Sequence, residues 1–279
     1  MGRAVKDPTQ SVLPRQYRLD SVSILSNLIQ RDFDVCLDIY EHRFLTSTQI
    51  FQLHFPSYSR ARVRLHELYL LGILNRFRPP KRPGSWPWHY VLDKLGADIA
   101  SDMRNIDAHK LYFRKNRQIN LLNSPRLSHM RDINEFFCRL VYASRQENDY
   151  DLAVTSWLGE ASSAALCQGI VRPDGVASIQ GPWGKLDFYL ELDRGTEDSS
   201  RLQDKMIDYD EAAISSHLPK LLLFCFPNSR RERNASRALR SARLTVATST
   251  LESHLDRPLD PIWLPLNGEK RLCLGDLQP

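Results

Sequence analysis

The chain has no cysteine pair, no long apolar run and no internal repeat, and each lack narrows what the protein does. Its five cysteines, at positions 36, 138, 167, 225 and 273, are odd in number and dispersed, with no Cys-x-x-Cys spacing. That argues against a disulfide framework and against a cysteine-held zinc. It fits a reducing cytoplasm, with the thiols as small core residues. No apolar stretch is long enough for a membrane span, so no membrane partner is expected. The first residues, MGRAVKDPTQ, lack the apolar segment of a secretory signal, and Lys6 stands where a myristoylation signal needs Ser or Thr. Without repeats, a solenoid is not expected.

What is present is the composition of a soluble globular protein. The 279 residues are 42% hydrophobic and 25% charged, enough for one large domain or two ordinary ones. The net charge of +5 is unevenly placed. Residues 57–131 hold 15 Lys or Arg against 5 Asp or Glu, a local +10, which leaves the rest of the chain at −5. A basic block joined to a mildly acidic remainder suggests a nucleic-acid-binding module attached to something else, with a solvated basic surface as the alternative.

The hydrophobic spacing gives an order of elements. Residues 1–30 read as an N-terminal arm, loose to about residue 20 and with a short amphipathic helix expected over Asp20–Gln30. Helices follow over Asp32–His42, with Phe33, Cys36, Leu37 and Tyr40 at helical spacing, and over Gln49–Leu53 behind a Ser or Thr cap. A third helix runs from Ser57 or Ser59 to Leu71, with Ala61, Leu65 and Leu68 as its core stripe and Gly72 as its stop. Ile73–Arg78 and His89–Leu92 then alternate as strands, joined by a basic, proline-rich link. Three helices followed by such a hairpin is the order of a winged helix-turn-helix, whose third helix enters the major groove of double-stranded DNA and whose wing touches the backbone. The DNA-binding candidates are Tyr58, Ser59, Arg60, Arg62 and Arg64 on the helix, with Arg78, Lys81 and Arg82 on the wing. A winged helix used only for protein contacts is the alternative. A helix over Lys94–Met103 closes this domain, which spans 31–115.

The remainder, 116–279, reads as an α/β domain. Its expected order is a helix over Met130–Gln146, strands over Asp149–Trp157, Gly169–Ile179 and the KLDFYLELDR segment, and a helix over Glu197–His217 capped by Thr196. A buried strand over Lys220–Phe226, a basic helix over Ser229–Arg240 and a strand over Arg243–Ala247 complete it. In KLDFYLELDR the parity is strict. Leu186, Phe188, Leu190 and Leu192 take one face; Lys185, Asp187, Tyr189, Glu191 and Asp193 take the other. Glu191 and Asp193 therefore lie side by side, and a preceding strand carrying Asp174 adds a third carboxylate. Hard cations take such oxygens, so the three are candidate ligands for Mg²⁺ or Mn²⁺, which polarises a phosphodiester and activates water. A solvent-facing acidic strand end is the other reading.

The segments LTSTQI, SRARVRLHELYLLGILNRFRP, HYVLDKLGADI, INEFF after His129, VRPDG, FYLELDRGTE and PIWLPL, in this order, resemble the replication-relaxation family of bacterial plasmids and other mobile elements. The resemblance runs from about Phe33 to the end. It implies a winged-helix N-terminus that binds DNA in plasmid replication or transfer, in company with other replication or transfer proteins. The second half also resembles the PD-(D/E)XK nuclease superfamily, with Pro173-Asp174 as the PD and Glu191-Leu192-Asp193 at the (D/E)XK position. Asp193 stands where the catalytic lysine belongs. Some members carry that lysine on the following helix, where this chain has Lys205, and Glu160 is a further acidic candidate. The resemblance thus implies Asp174, Glu191, Asp193 and Lys205 as catalytic residues of an endonuclease, or else an inactive nuclease fold that serves homodimerisation or partner docking.

Overall fold

The computed structural model describes residues 25–80, 83–105, 121, 124–146, 152–195, 197–241, 243–251 and 257–278. The first 24 residues of the expected arm, Lys81 and Arg82 of the wing, residues 106–120 and Thr196, the expected cap, lie outside the described residues.

The N-terminal part is built from short capped helices. Helix α1 spans Gln30–His42. Strand β1, Leu45–Thr46, leads into helix α2, Ser47–His54, where Thr46 Oγ1 accepts from the Gln49 N–H and the Gln49 side chain accepts from the Thr46 N–H. This reciprocal bonding satisfies two orphan donors at once. Helix α3, Tyr58–Leu70, is capped by Ser57 and ends at Gly72, which sits at φ 73° where a side chain would be strained. Ala61, Leu65 and Leu68 are fully buried, as their spacing requires. Strands β2, Leu74–Phe77, and β3, His89–Leu92, form an antiparallel hairpin, and helix α4, Lys94–Arg104, follows behind an Asp93 cap. The two-residue β1 pairs with β3 and makes the sheet three-stranded, an addition that helix-like spacing around Thr46 concealed.

The C-terminal part is a six-stranded mixed sheet between helical layers. Helix α5 spans Leu127–Gln146, and β4 spans Ala153–Gly159. Helix α6, Glu160–Leu166, was not expected, and the strand expected from Gly169 begins only at Gly175. Strands β5, Gly175–Gly181, and β6, Gly184–Leu192, precede helix α7, Ser199–Ala212. That helix is shorter at both ends than the sequence spacing gave, and Asp198 caps it. Strand β7 is Leu221–Phe226, and helix α8 is Ser229–Ala235, 7 residues that stop short of the expected end at Arg240. Strands β8, Thr245–Thr250, and β9, Leu264–Pro265, finish the sheet in the order β4-β5-β6-β7-β8-β9. Pairing is antiparallel from β4 to β6, parallel from β6 to β8, and antiparallel again at β9.

Parity in β6 sorts its side chains between two cores. Leu186, Phe188, Leu190 and Leu192 pack with Phe136, Phe137 and Leu140 of α5, while Tyr189 packs with Leu202, Met206 and Tyr209 of α7. Both faces are dry. The alternative of a solvent-facing acidic strand end is set aside here, because Glu191 and Asp193 are each 5% exposed.

Helix α5 also belongs to the N-terminal part. Its Cys138 lies in the same apolar cluster as Val35, Ile50 and Leu53. Asn134 Nδ2 donates to the Phe44 carbonyl at 2.8 Å, Gln49 Nε2 donates to Glu135 at 3.2 Å, and Arg145 donates to the Leu53 carbonyl. The His42 and Trp157 rings stack at 3.5 Å. The two halves are joined by packed side chains as well as by the chain.

Candidate functional site

The strand pairing places the carboxylates. Gly175 on β5 opposes Leu190 on β6, so Asp174, one residue earlier, comes level with Glu191. At that end of the sheet a cleft of about 600 Å³ is lined by Asp174, Glu191, Asp193, Glu160, His129 and Lys205, with Arg126, Arg172 and Arg194 also on its wall. The sequence candidates for catalysis therefore all reach one cavity.

Each carboxylate has its own partners. Asp174 Oδ2 accepts from the Leu192 N–H at 2.9 Å, and its Oδ1 is 2.9 Å from His129 Nε2 on the first turn of α5. Glu191 turns toward α7. Its Oε1 accepts from the Tyr209 hydroxyl at 2.6 Å and its Oε2 from Lys205 Nζ at 3.0 Å, and Lys205 also reaches Glu197 at 3.3 Å. Asp193 is drawn off by α8: Arg231 Nε donates to its Oδ2 at 2.7 Å, and the Gly195 N–H donates to its Oδ1. Glu160 pairs with Arg126 at 2.9 Å.

Burial dominates the electrostatics. It pushes the Glu191 carboxyl up to about 7 against the pull of Lys205, and the nearby Asp174 charge pushes the same way. Burial works against the Lys205 ammonium too, but Glu191 and Glu197 outweigh it and hold the lysine above its ordinary range. The Tyr209 phenol, buried beside Glu191, is pushed well up and stays a donor. These shifts describe one arrangement: above neutrality a buried carboxylate faces an ammonium and a phenol, and below it the carboxyl takes a proton.

The fit to a divalent cation is uneven. Among the described residues no group of three or more His, Cys, Asp or Glu is gathered at metal-holding spacing. Asp193 is the misfit, because Arg231 already neutralises it. Asp174 and Glu191 remain as two hard oxygen donors on one cleft, and Mg²⁺ is commonly held by one or two carboxylates with the rest water.

The nucleic-acid candidates divide in the same manner. Tyr58, Ser59, Arg60 and Arg62 are exposed on the first two turns of α3. Arg64 is not free. Its guanidinium clamps the fully buried Asp32 at 2.6 and 3.0 Å and reaches Glu67 at 2.7 Å. Arg78 lies over the Trp88 ring at 4.2 Å, and Arg76, which the sequence did not single out, is held between Trp88 and Tyr69 at 4.4 Å from each. Arg131 covers Trp86 at 4.0 Å, so the hairpin rests on the N-terminal end of α5, two residues from His129. Local spacing does not reveal the partners of His129, Tyr209 and Arg231, which lie 45, 18 and 38 residues away, while Arg76 stacks on the nearer Tyr69 and Trp88.

The sequence model of the replication-relaxation family matches residues 37–220, about two thirds of the chain. The chain belongs to the replication-relaxation family. The stretch shared with that family takes in α2, α3, the hairpin, Asp174, Glu191, Asp193 and Lys205, and stops at Lys220, before α8 and Arg231. Neither a curated protein nor a solved structure matches it. Among the described residues of this family member, no helix is long and apolar enough to cross a membrane.

Proposed function

We propose that this replication-relaxation protein binds double-stranded DNA in the replication or transfer of a plasmid or other mobile element. The N-terminal part acts as a winged helix-turn-helix, with α3 in the major groove and the β2–β3 hairpin on the backbone. The observation that carries this reading is where the basic block lies. Arg60 and Arg62 are exposed on α3, and Arg76 and Arg78 are stacked on Trp88 at the hairpin beside it. Stacking fixes a guanidinium without neutralising it, which suits contact with phosphate. Fluorescence anisotropy on mixed-sequence duplexes tests it. Binding that weakens steeply with salt is expected, since neutralised phosphates release counterions. Absence of duplex binding at low salt overturns the reading.

A second reading is favoured by one distance, Lys205 Nζ to Glu191 Oε2 at 3.0 Å in the cleft shared with Asp174. It makes the six-stranded unit a PD-(D/E)XK-like domain that hydrolyses a phosphodiester. Asp174 and Glu191 would hold Mg²⁺ or Mn²⁺, with Asp193 left to Arg231. A cation bound there supplies Lewis-acid polarisation and a more acidic water. Lys205, carried on α7 in place of the strand lysine, would orient the attacking water and offset the charge that grows on the phosphoryl oxygens. Tyr209 fixes the rotamer of Glu191, and His129 fixes that of Asp174. Supercoiled plasmid with Mg²⁺ tests it: nicking or linearisation that disappears in Lys205→Ala supports the reading. Intact plasmid with every divalent cation leaves a nuclease-derived fold for homodimerisation or for docking other replication or transfer proteins.

A further inference from the structure

A second cavity, of about 580 Å³, adjoins the carboxylate cleft, and Arg194 lines both. It lies between the turn that leaves β6 and the start of α8, with Asn228, Arg230, Arg231 and Asn234 on its wall. The turn is built rigidly. Gly195 takes φ 79°, donates its N–H to Asp193, and backs onto Pro227, which its Cβ position would approach to 3.6 Å. Arg231 is pinned on the opposite side, donating to Asp193 and to the Glu197 carbonyl. Asn228 accepts from the Arg231 N–H through Oδ1, which leaves its amide donors for a ligand.

Two of the three arginine charges in this cavity are uncompensated. Arg231 is matched by Asp193. Arg194 donates only to the Ser128 hydroxyl, and among the described residues neither Arg194 nor Arg230 has a carboxylate partner. Two unpaired guanidiniums, a third held in place and two amide side chains make a donor set for an anion with several oxygens. The neighbouring cleft says which anion. Nucleic-acid strands carry one charge per about 3.4 Å of axis, so a strand lying in a cleft with several carboxylates needs cations alongside it. A cavity that shares a wall with that cleft receives the next part of the same strand.

We infer that this cavity is a phosphate-binding subsite, in which Arg194 and Arg230 grip the backbone of the DNA strand that lies across the Asp174–Glu191 cleft. The inference rests on the DNA-binding reading and adds to it a second contact region, remote in sequence from α3 and the hairpin. It gives the strand a path, from the first turn of α5, past the carboxylates, to the start of α8.

The test is duplex binding by fluorescence anisotropy across a salt series, on the full chain. Arg194→Ala with Arg230→Ala removes the two unpaired charges. Arg233→Ala with Arg237→Ala removes two exposed charges from the same region but outside the cavity. The cavity pair is expected to lose about tenfold or more in affinity and to lower the salt slope by about 2, close to the 0.9 per phosphate contact of duplex DNA. The control pair is expected to keep the wild-type slope. Equal losses in both pairs overturn the subsite in favour of a diffuse basic face. An unchanged slope in the cavity pair, with wild-type binding intact, overturns the subsite and leaves the DNA-binding reading standing. No binding by the wild type overturns both. Arg230→Ala alone, whose side chain is exposed and unpaired, repeats the test should the double variant show a lowered melting temperature.

Discussion

Lys205 Nζ lies 3.0 Å from Glu191 Oε2, closing the gap between α7 and the end of β6. The pair makes stability depend on pH in a definite sense. Burial raises the Glu191 carboxyl from 4.5 to about 7 in the folded protein, so the native state binds a proton that the unfolded chain has lost. Stability from this group is therefore full below about pH 4.5, declines as pH rises, and levels off above about 7. Relative to Glu191→Gln, the wild type should lose up to about 3 kcal/mol across that window. Denaturant titrations of both proteins at several pH values check it, and a constant difference between them would contradict the protonated native state.

Cation binding should need two carboxylates and not the third. Calorimetry with Mn²⁺ is expected to give a heat with the wild type, no heat with Asp174→Ala, and a retained heat with Asp193→Asn, because Arg231 already holds Asp193. Loss of the heat in Asp193→Asn at an unchanged melting temperature would restore the three-carboxylate arrangement. No heat from any of the proteins would remove the cation from the reading altogether.

On α3 the arginines should separate by function. Arg60→Ala with Arg62→Ala is expected to weaken duplex binding and lower the salt slope by about 2 without changing stability. Arg64→Ala should act on the fold. It leaves Asp32, fully buried, without its cation. Such breaks cost about 3–5 kcal/mol when both partners are buried, and about 2–3 is expected here because water reaches part of Arg64. Melting temperatures and anisotropy on the two variants decide it, and equal melting temperatures would refute the division.

Leu190→Ala should destabilise the protein by about 2–5 kcal/mol, the range for opening a cavity in a packed core, since Leu190 is fully buried against α5. Urea unfolding measures this, and a loss below about 1 kcal/mol would mean that the core collapses around the smaller side chain.

Local physics was readable in the sequence, and long-range pairing was not. Alternation in KLDFYLELDR put Leu186, Phe188, Leu190 and Leu192 on one face, and the structure keeps them there. The stripe of Ala61, Leu65 and Leu68 held for the same reason, since helical period is a property of neighbouring residues. The other face of β6 was open to two readings because a polar letter reports chemistry and not exposure; Glu191 is buried since α7 folds over it. Asp193 looked equivalent to Glu191 by parity, yet Arg231, 38 residues onward, takes it. Arg64 looked like a surface arginine, and its partner Asp32 is 32 residues upstream. Strand β1, two residues long, carries too little pattern to be seen, and α6 was hidden where a strand end was expected.

Helix α5 touches the hairpin through Arg131 and Trp86, the cleft through His129 and Asp174, and α2 through Glu135 and Gln49. A helix of 20 residues held at so many points is a strut. On the proposed DNA-binding reading, a duplex on α3 and the hairpin would stand at a fixed distance from the carboxylate cleft. On that reading the protein would act as a ruler, with its zero at the bound DNA and its mark at Asp174 and Glu191.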